Sequence, residues 1–324
     1  MRGSLALAAK GATIAPMEQQ QTQDSSEGAA GAKKVAVVAL VGRPSVGKST
    51  FLNTACGQKA LITSAYPQTT RNAIRAIVNR TAGQLVFIDT PGLHTSEQKM
   101  NRHLVKAAEG ALEASDAVLY MIDATREPRE EEEQAARIVL PFLQKCVAAV
   151  NKTDDRRADA NRAVAFINDA LGEGIGDRVV LVSAKTGKGV EDVLTALFDI
   201  AEVGPALYPD DVYTDQAVDF RIAEIVRGEA IARLKDEIPH EIYVKVLDMQ
   251  MKGSRLVVKA AICVERESQK GIVIGKGAAL IKAIREAAAK ECRQVFPWKV
   301  DLQLQVRVDK NWRQNDKTLS AILG

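Results

Sequence analysis

The feature that most constrains this chain is the stretch from Leu40 to Phe51, LVGRPSVGKSTF. Small and β-branched residues from Val35 to Val41 lead into Gly42-Arg43-Pro44-Ser45-Val46-Gly47-Lys48-Ser49, which fits GxxxxGK[ST], and a helical pattern follows. Strand, glycine loop and helix together predict a phosphate cradle. Gly42 and Gly47 allow successive amides to face one concavity, Lys48 adds a cation for the terminal phosphates, and the Ser49 hydroxyl can hold Mg²⁺.

From Lys33 to about Val203, short apolar runs alternate with helical patterns: Val35–Val41, Ala73–Val78, Leu85–Ile88, Ala117–Ile122, Val147–Val150 and Val179–Val182. That alternation predicts a mostly parallel sheet covered on both faces, with ligands outside the carboxyl ends of its strands. Three further motifs fall at such ends. In Asp89-Thr90-Pro91-Gly92, Asp89 can reach Mg²⁺ through water and the Gly92 amide can touch a γ-phosphate, so the loop would sense that phosphate. In Asn151-Lys152-Thr153-Asp154, the Asp154 carboxylate can accept from guanine N1–H and the exocyclic amine, an arrangement adenine lacks. Ser183-Ala184-Lys185 can direct a backbone amide at guanine O6.

Between the glycine loop and Asp89 lies Pro67-Gln68-Thr69-Thr70-Arg71, where a threonine, Thr70 or failing that Thr69, can complete the Mg²⁺ shell when the γ-phosphate is bound. Leu93 stands where many related switches carry a water-orienting glutamine, and no arginine finger is assignable in cis, so intrinsic hydrolysis should be slow. The expected catalytic set is Lys48, Thr70 and Gly92. The expected GTP contacts are Gly42, Arg43, Pro44, Ser45, Val46, Gly47, Lys48, Ser49 and Thr50; Asp89, Thr90, Pro91, Gly92 and Leu93; Asn151, Lys152, Thr153 and Asp154; Ser183, Ala184 and Lys185. Ser49, Thr70 and Asp89 would serve Mg²⁺, Asp89 through water.

Gly204-Pro205-Ala206-Leu207-Tyr208-Pro209-Asp210-Asp211 reads as a linker, 204–214, dividing a domain at 33–203 from one at 215–324. The second part holds 20 Lys and Arg against 15 Asp and Glu, a net charge of +5 that leaves −2 for residues 1–214. This is a modest hint of a polyanion partner. An amphipathic helix carries Ile222, Ile225, Val226, Ala230 and Leu234. A hairpin of Ile242–Leu247 and Leu256–Val264 turns at Met251-Lys252-Gly253-Ser254. Then come Gly271-Ile272-Val273-Ile274-Gly275-Lys276-Gly277-Ala278, a helix with Ile281, Ile284, Ala288 and Val295 on one side, and a strand alternating from Lys299 to Val308. This is the order of a prokaryotic-type (type II) KH module, whose GxxG loop approaches four nucleotides. Here Ala278 replaces the last glycine, which is tolerable where that position is already helical. Gly275, Lys276, Gly277 and Ala278, with Lys270, Lys282 and Arg285, are the candidate RNA contacts.

Residues 1–32 are too poor in large apolar residues to order themselves and read as a disordered tail; Met17 could be the start, or residues 1–16 a weak presequence. No apolar run approaches the ~18 residues needed to span a bilayer, so a soluble, cytoplasmic chain is expected. Four separated cysteines without a CxxC read as buried reduced thiols. His94, His103 and His240 lack ligand spacing and read as structural or surface residues, and Glu130–Glu133 reads as a solvated helix start.

The chain resembles the Era family of bacterial ribosome-assembly GTPases over nearly all of Lys33–Gly324, through GRPSVGKS, PQTTR, DTPGLH, NKTD and SAK in order, then LYPDD, AEIVRGE, GIVIGKGA and VDKNWRQNDKTLSAILG. The resemblance implies an α/β GTPase domain followed by a KH domain, and a switch that with GTP or GDP and Mg²⁺ binds the 3′ end of 16S rRNA in assembly of the 30S subunit. It also implies GTP hydrolysis and peripheral association with the inner face of the plasma membrane. A monomer is expected. Ser45 stands where the family usually has an asparagine that can help hold a monovalent cation, so potassium dependence is not expected. The runner-up is an RNA-binding assembly scaffold that holds GTP with negligible turnover.

Overall fold

The computed structural model describes residues 33–58, 74–89, 110–234, 238, 241–315 and 318. The tail before Lys33, Thr69, Thr70, Thr90, Pro91, Gly92, Leu93 and all three histidines lie outside them.

The first sheet runs β2-β3-β1-β4-β5-β6, from β1 (Lys34–Val41), β2 (Ile74–Arg80), β3 (Gly83–Asp89), β4 (Ala117–Asp123), β5 (Cys146–Asn151) and β6 (Val179–Leu181). β1 pairs parallel with β3 and β4, and β4–β5 and β5–β6 are parallel too; β2 is antiparallel to β3. Every residue of β4 and β5 is buried, which is why these strands read as continuous apolar runs rather than alternating ones. One face packs on α1 (Lys48–Cys56) and α4 (Val190–Ile200) through Phe51, Leu52, Leu194 and Leu197. The other packs on α2 (Glu130–Val139) and α3 (Ala160–Leu171) through Ala135, Val139, Ile167 and Leu171.

A two-residue strand, β7 (Glu202–Val203), pairs antiparallel with the start of β1. The segment after it returns along the outer edge of β2. The Ile77 amide donates to Tyr213 O (2.9 Å), the Asn79 side chain donates to Asp210 O (2.9 Å), and Gln84 accepts from the Leu207 and Tyr208 amides (2.8 and 2.9 Å). The Thr214 hydroxyl donates to Arg75 O at 3.0 Å. The linker thus covers an edge strand whose amides would otherwise stand open.

The second sheet has the order β10-β9-β8. α5 (Val218–Ile231) precedes the β8 (Tyr243–Lys252) and β9 (Arg255–Val264) hairpin, and α6 (Glu267–Ile274) and α7 (Ala279–Val295) lead to β10 (Lys299–Val308). β10 lies parallel to β9, so the α6–α7 crossover is required. Ile222, Val226, Ile284 and Ala288 meet Val258, Ile262, Val300 and Leu302 in its core. β8 runs five residues beyond the expected Leu247, because a bulge between Val246 and Asp248 resets the alternation and Lys252 pairs with Arg255. The tight turn is therefore Gly253-Ser254. Among the described residues, no helix is long and apolar enough to cross a membrane.

Candidate functional site

The glycine loop joins the end of β1 to α1 as expected. Gly47 has φ +110°, and a Cβ there would fall 2.3 Å from Asn151 Nδ2, so only glycine fits. α1 begins without a capping side chain and without an acid in its first turn, which leaves the positive end of its dipole for an anion. The Lys48 ammonium folds onto its own loop, donating to Gly42 O (2.7 Å) and Arg43 O (3.2 Å). Burial pushes its pKa down, against the pull of the Asp89 charge. The Ser49 hydroxyl donates to Asp89 Oδ2 at 3.4 Å. Among the described residues no three His, Cys, Asp or Glu side chains cluster as metal ligands. A hydroxyl beside one carboxylate suits Mg²⁺, which takes most of its ligands from nucleotide phosphates and water.

The base-side loops are cross-braced to the phosphate loop. Asn151, at the end of β5, donates through Nδ2 to Val46 O (2.8 Å) and accepts the Ala184 amide at Oδ1 (2.9 Å). One side chain therefore bridges all three loops. Ser183 Oγ donates to Asp154 Oδ1 at 2.7 Å, and the Thr153 hydroxyl donates to Val182 O at 3.0 Å. The Ser183 bond aims the Asp154 carboxylate and leaves Oδ2 to meet a base. Because the Ala184 amide already serves Asn151, a purine oxygen would share it or meet the next amide, Lys185.

A buried charge cluster lies beneath. Arg43 is 5% exposed; it donates to Asp123 Oδ2 (2.9 Å) and forms an ion pair with Glu132. Lys152 Nζ donates to the same Asp123 oxygen at 2.7 Å. Burial alone would raise the Asp123 pKa, but hydrogen bonds from Lys152 and Thr125 outweigh it and hold the carboxyl below the usual range. Glu132 goes the other way: burial pushes it up, only partly countered by Arg43. The acidic run Glu130–Glu133 does open α2, yet it is not a wholly solvated face. Glu132 turns inward because a buried guanidinium awaits it.

In the second domain, Gly275 (φ 75°), Gly277 (φ 58°) and Ala278 (φ 60°) all have positive φ. Ala278 is thus not yet in the helix; it is the left-handed N-cap of α7. Its methyl is held in a conformation that costs an L-residue about 1–2 kcal/mol. Lys276 and Lys282 are exposed with no ion pair among the described residues, whereas Lys270 pairs with Glu267 (3.3 Å) and Arg285 with Glu286 (3.6 Å).

Residues 37–152 match the family model described as 50S ribosome-binding GTPase, and residues 237–313 match the KH domain. GTPase Era of Treponema denticola is 50% identical over 288 residues, covering 88% of this chain and 98% of that protein. The chain belongs to the Era family of GTPases. Era of Treponema pallidum (strain Nichols) is 40% identical over 304 residues, with coverage of 88% and 95%. Two solved Era structures each give a TM-score of 0.83 at 30% identity, covering 90% of this chain and 99% of theirs. One is a point variant of Aquifex aeolicus Era bound to GDP·AlF4⁻; the other is Era in complex with MgGDPNP and nucleotides 1506–1542 of 16S ribosomal RNA.

This Era-family chain brings Gly42–Thr50, Asp89, Asn151–Asp154 and Ser183–Lys185 to the carboxyl ends of β1, β3, β5 and β6, while the RNA candidates fall around the α6–α7 turn. Sequence reasoning missed Asp123 and Glu132. Asp123 was findable, because it ends an apolar strand as Asp89 and Asn151 do. Glu132 carried no such signal, being one of four consecutive glutamates.

Proposed function

We propose that this chain is a GTP-hydrolysing switch that binds the 3′ end of 16S rRNA through its KH domain during assembly of the 30S subunit. The observation that carries the reading is the bridging of the phosphate loop, the Asn151–Asp154 loop and the Ser183–Lys185 loop by Asn151, in a chain that also carries the KH fold. Lys48 and the first amides of α1 hold the phosphates, Asp154 reads guanine, and Ser49, Asp89 and Thr70 serve Mg²⁺, Asp89 through water. Thr70 and the Gly92 amide sense the γ-phosphate, and Leu93 leaves intrinsic turnover slow. The GTPase domain occupies 33–203, the connection 204–214 and the RNA-binding domain 215–324. Gly275, Lys276, Gly277, Ala278 and Lys282, flanked by Lys270 and Arg285, meet RNA. The protein acts as a monomer in the cytoplasm, associates peripherally with the inner face of the plasma membrane, and does not depend on potassium.

The test is the affinity for an oligonucleotide matching the 3′ end of 16S rRNA, with a non-hydrolysable GTP analogue and with GDP. Much tighter binding with the analogue is expected. Equal binding in the two states would leave an RNA scaffold with an uncoupled nucleotide site.

A further inference from the structure

At the far end of α7 from the glycine loop, Phe296-Pro297-Trp298-Lys299 joins the helix to β10. Phe296 is buried, and the Trp298 ring stacks on it with centroids 6.0 Å apart and planes 15° apart. The Arg221 guanidinium lies 4.9 Å from the Phe296 centroid and 5.1 Å from that of Tyr213, to whose hydroxyl it donates at 2.6 Å. Tyr213, Arg221, Phe296 and Trp298 thus form a continuous alternation of flat rings and a flat cation. Trp298 ends it half-exposed, lining an open cavity of about 450 Å³ together with Arg293, Pro297 and Lys299. Arg293 and Lys299 are exposed and carry no ion pair among the described residues.

We infer that Trp298 is a second RNA contact, a stacking platform for one unpaired base, with Arg293 and Lys299 meeting the phosphates beside it. An aromatic face flanked by cations fits single-stranded nucleic acid, which alone offers a π-face and a negative charge at every step. An acidic peptide would use the two cations but leave the ring unmatched. Pro297 stiffens the turn, so the ring is held ready rather than ordered on binding. α7 has 17 residues, so its length of about 25 Å separates this platform from the glycine loop. A strand held there must run on past the roughly four nucleotides that a KH loop clamps. The inference rests on the RNA-binding reading above and extends it.

The test uses the full chain with a non-hydrolysable GTP analogue, a four-nucleotide and a twelve-nucleotide RNA from the same 3′-end sequence, and the variants W298A, W298F and R293E/K299E. The chain has two tryptophans, and Trp312 is fully buried, so a fluorescence quench on adding RNA reports Trp298. Expected are a quench with the long RNA alone, and a loss of roughly 5- to 100-fold in its affinity for W298A. W298F should stay near wild type and the short RNA should bind all forms alike. R293E/K299E, which keeps the ring, should weaken long-RNA binding and reduce its salt slope by about two. Unchanged long-RNA affinity in W298A with no quench in wild type overturns the platform while leaving the RNA reading intact. Failure of wild type to bind either RNA overturns both.

Discussion

Asp123 Oδ2 receives Arg43 of the phosphate loop at 2.9 Å and Lys152 of the base-side loop at 2.7 Å. One buried carboxylate oxygen therefore fixes the distance between the loop that would hold phosphates and the loop that would read the base. Neither cation can move without leaving the other partly uncompensated in a dry site.

Replacing Asp123 with Asn tests that role. Stability should fall by about 3 kcal/mol, because two cations lose their shared counter-charge. Affinity for GTP and GDP should fall together by about tenfold, consistent with loss of a charge-assisted bond worth about 1.5–3 kcal/mol. Denaturant titration and nucleotide-release rates measure the two effects. The native pKa of Asp123 is depressed, so its contribution is fully present above the ordinary carboxylate value and lost as pH falls through the native one. D123N should therefore unfold in acid with a shallower pH dependence than wild type. An unchanged release rate would reduce Asp123 to a fold residue.

Asp154→Asn should exchange guanine for xanthine preference. Ser183 would still position the side chain, but the amide can no longer accept from two base donors. GTP affinity should drop by roughly 100-fold while xanthosine triphosphate gains, as competition binding would measure. Selectivity equal to wild type would remove Asp154 from base reading.

Ala278→Gly should stabilise the chain. Relief of the left-handed strain, about 1–2 kcal/mol, exceeds the unfolded-state entropy that glycine adds, about 0.4–1 kcal/mol. The net gain is about 0.5–1 kcal/mol by denaturant midpoint. Gly275→Ala should do the reverse, since its Cβ would fall 2.7 Å from Leu280 Cβ at φ +75°. A destabilised A278G would mean that the methyl makes contacts outweighing its strain.

The thiols should be inert at neutral pH. Burial pushes Cys56, Cys146 and Cys292 up to about 12, and Cys263 is raised as well. At pH 8 only about one in ten thousand of the first three would be thiolate. Native protein should thus label far more slowly with iodoacetamide than denatured protein, which exposes all four cysteines. The raised pKa values favour the folded state until pH climbs past the ordinary thiol value of 9.0, above which stability should fall. Rapid stoichiometric labelling of the native chain would refute the burial argument.

The fold was largely legible because its signals are local. Apolar runs such as Ala117–Ile122 and Val147–Val150 are strands buried on both faces, and each loop motif follows directly from a strand end. What escaped was set by tertiary contact. Glu132 is turned inward by Arg43, 89 positions earlier in the sequence, and nothing in EEEE distinguishes it. The bulge after Val246 lengthened β8 because the pairing with β9, rather than the alternation of β8 itself, decides where that strand ends. Ala278 was read from helix periodicity, which does not reveal the backbone angle of a cap. The linker was marked by its prolines and glycine, but its path along β2 depends on the side chains of Asn79 and Gln84.

That path makes the join between the two cores a seam rather than a tether. Its stitches at Asn79, Ile77 and Arg75 occupy alternate residues of a strand that begins three positions after Arg71. A one-residue insertion near Pro205 could be taken up as slack ahead of them. The same insertion between Val212 and Thr214 would slip the register and turn Tyr213 away from Arg221. Where the extra residue falls, rather than the length of the connection, would decide whether the two halves of the molecule stay in step.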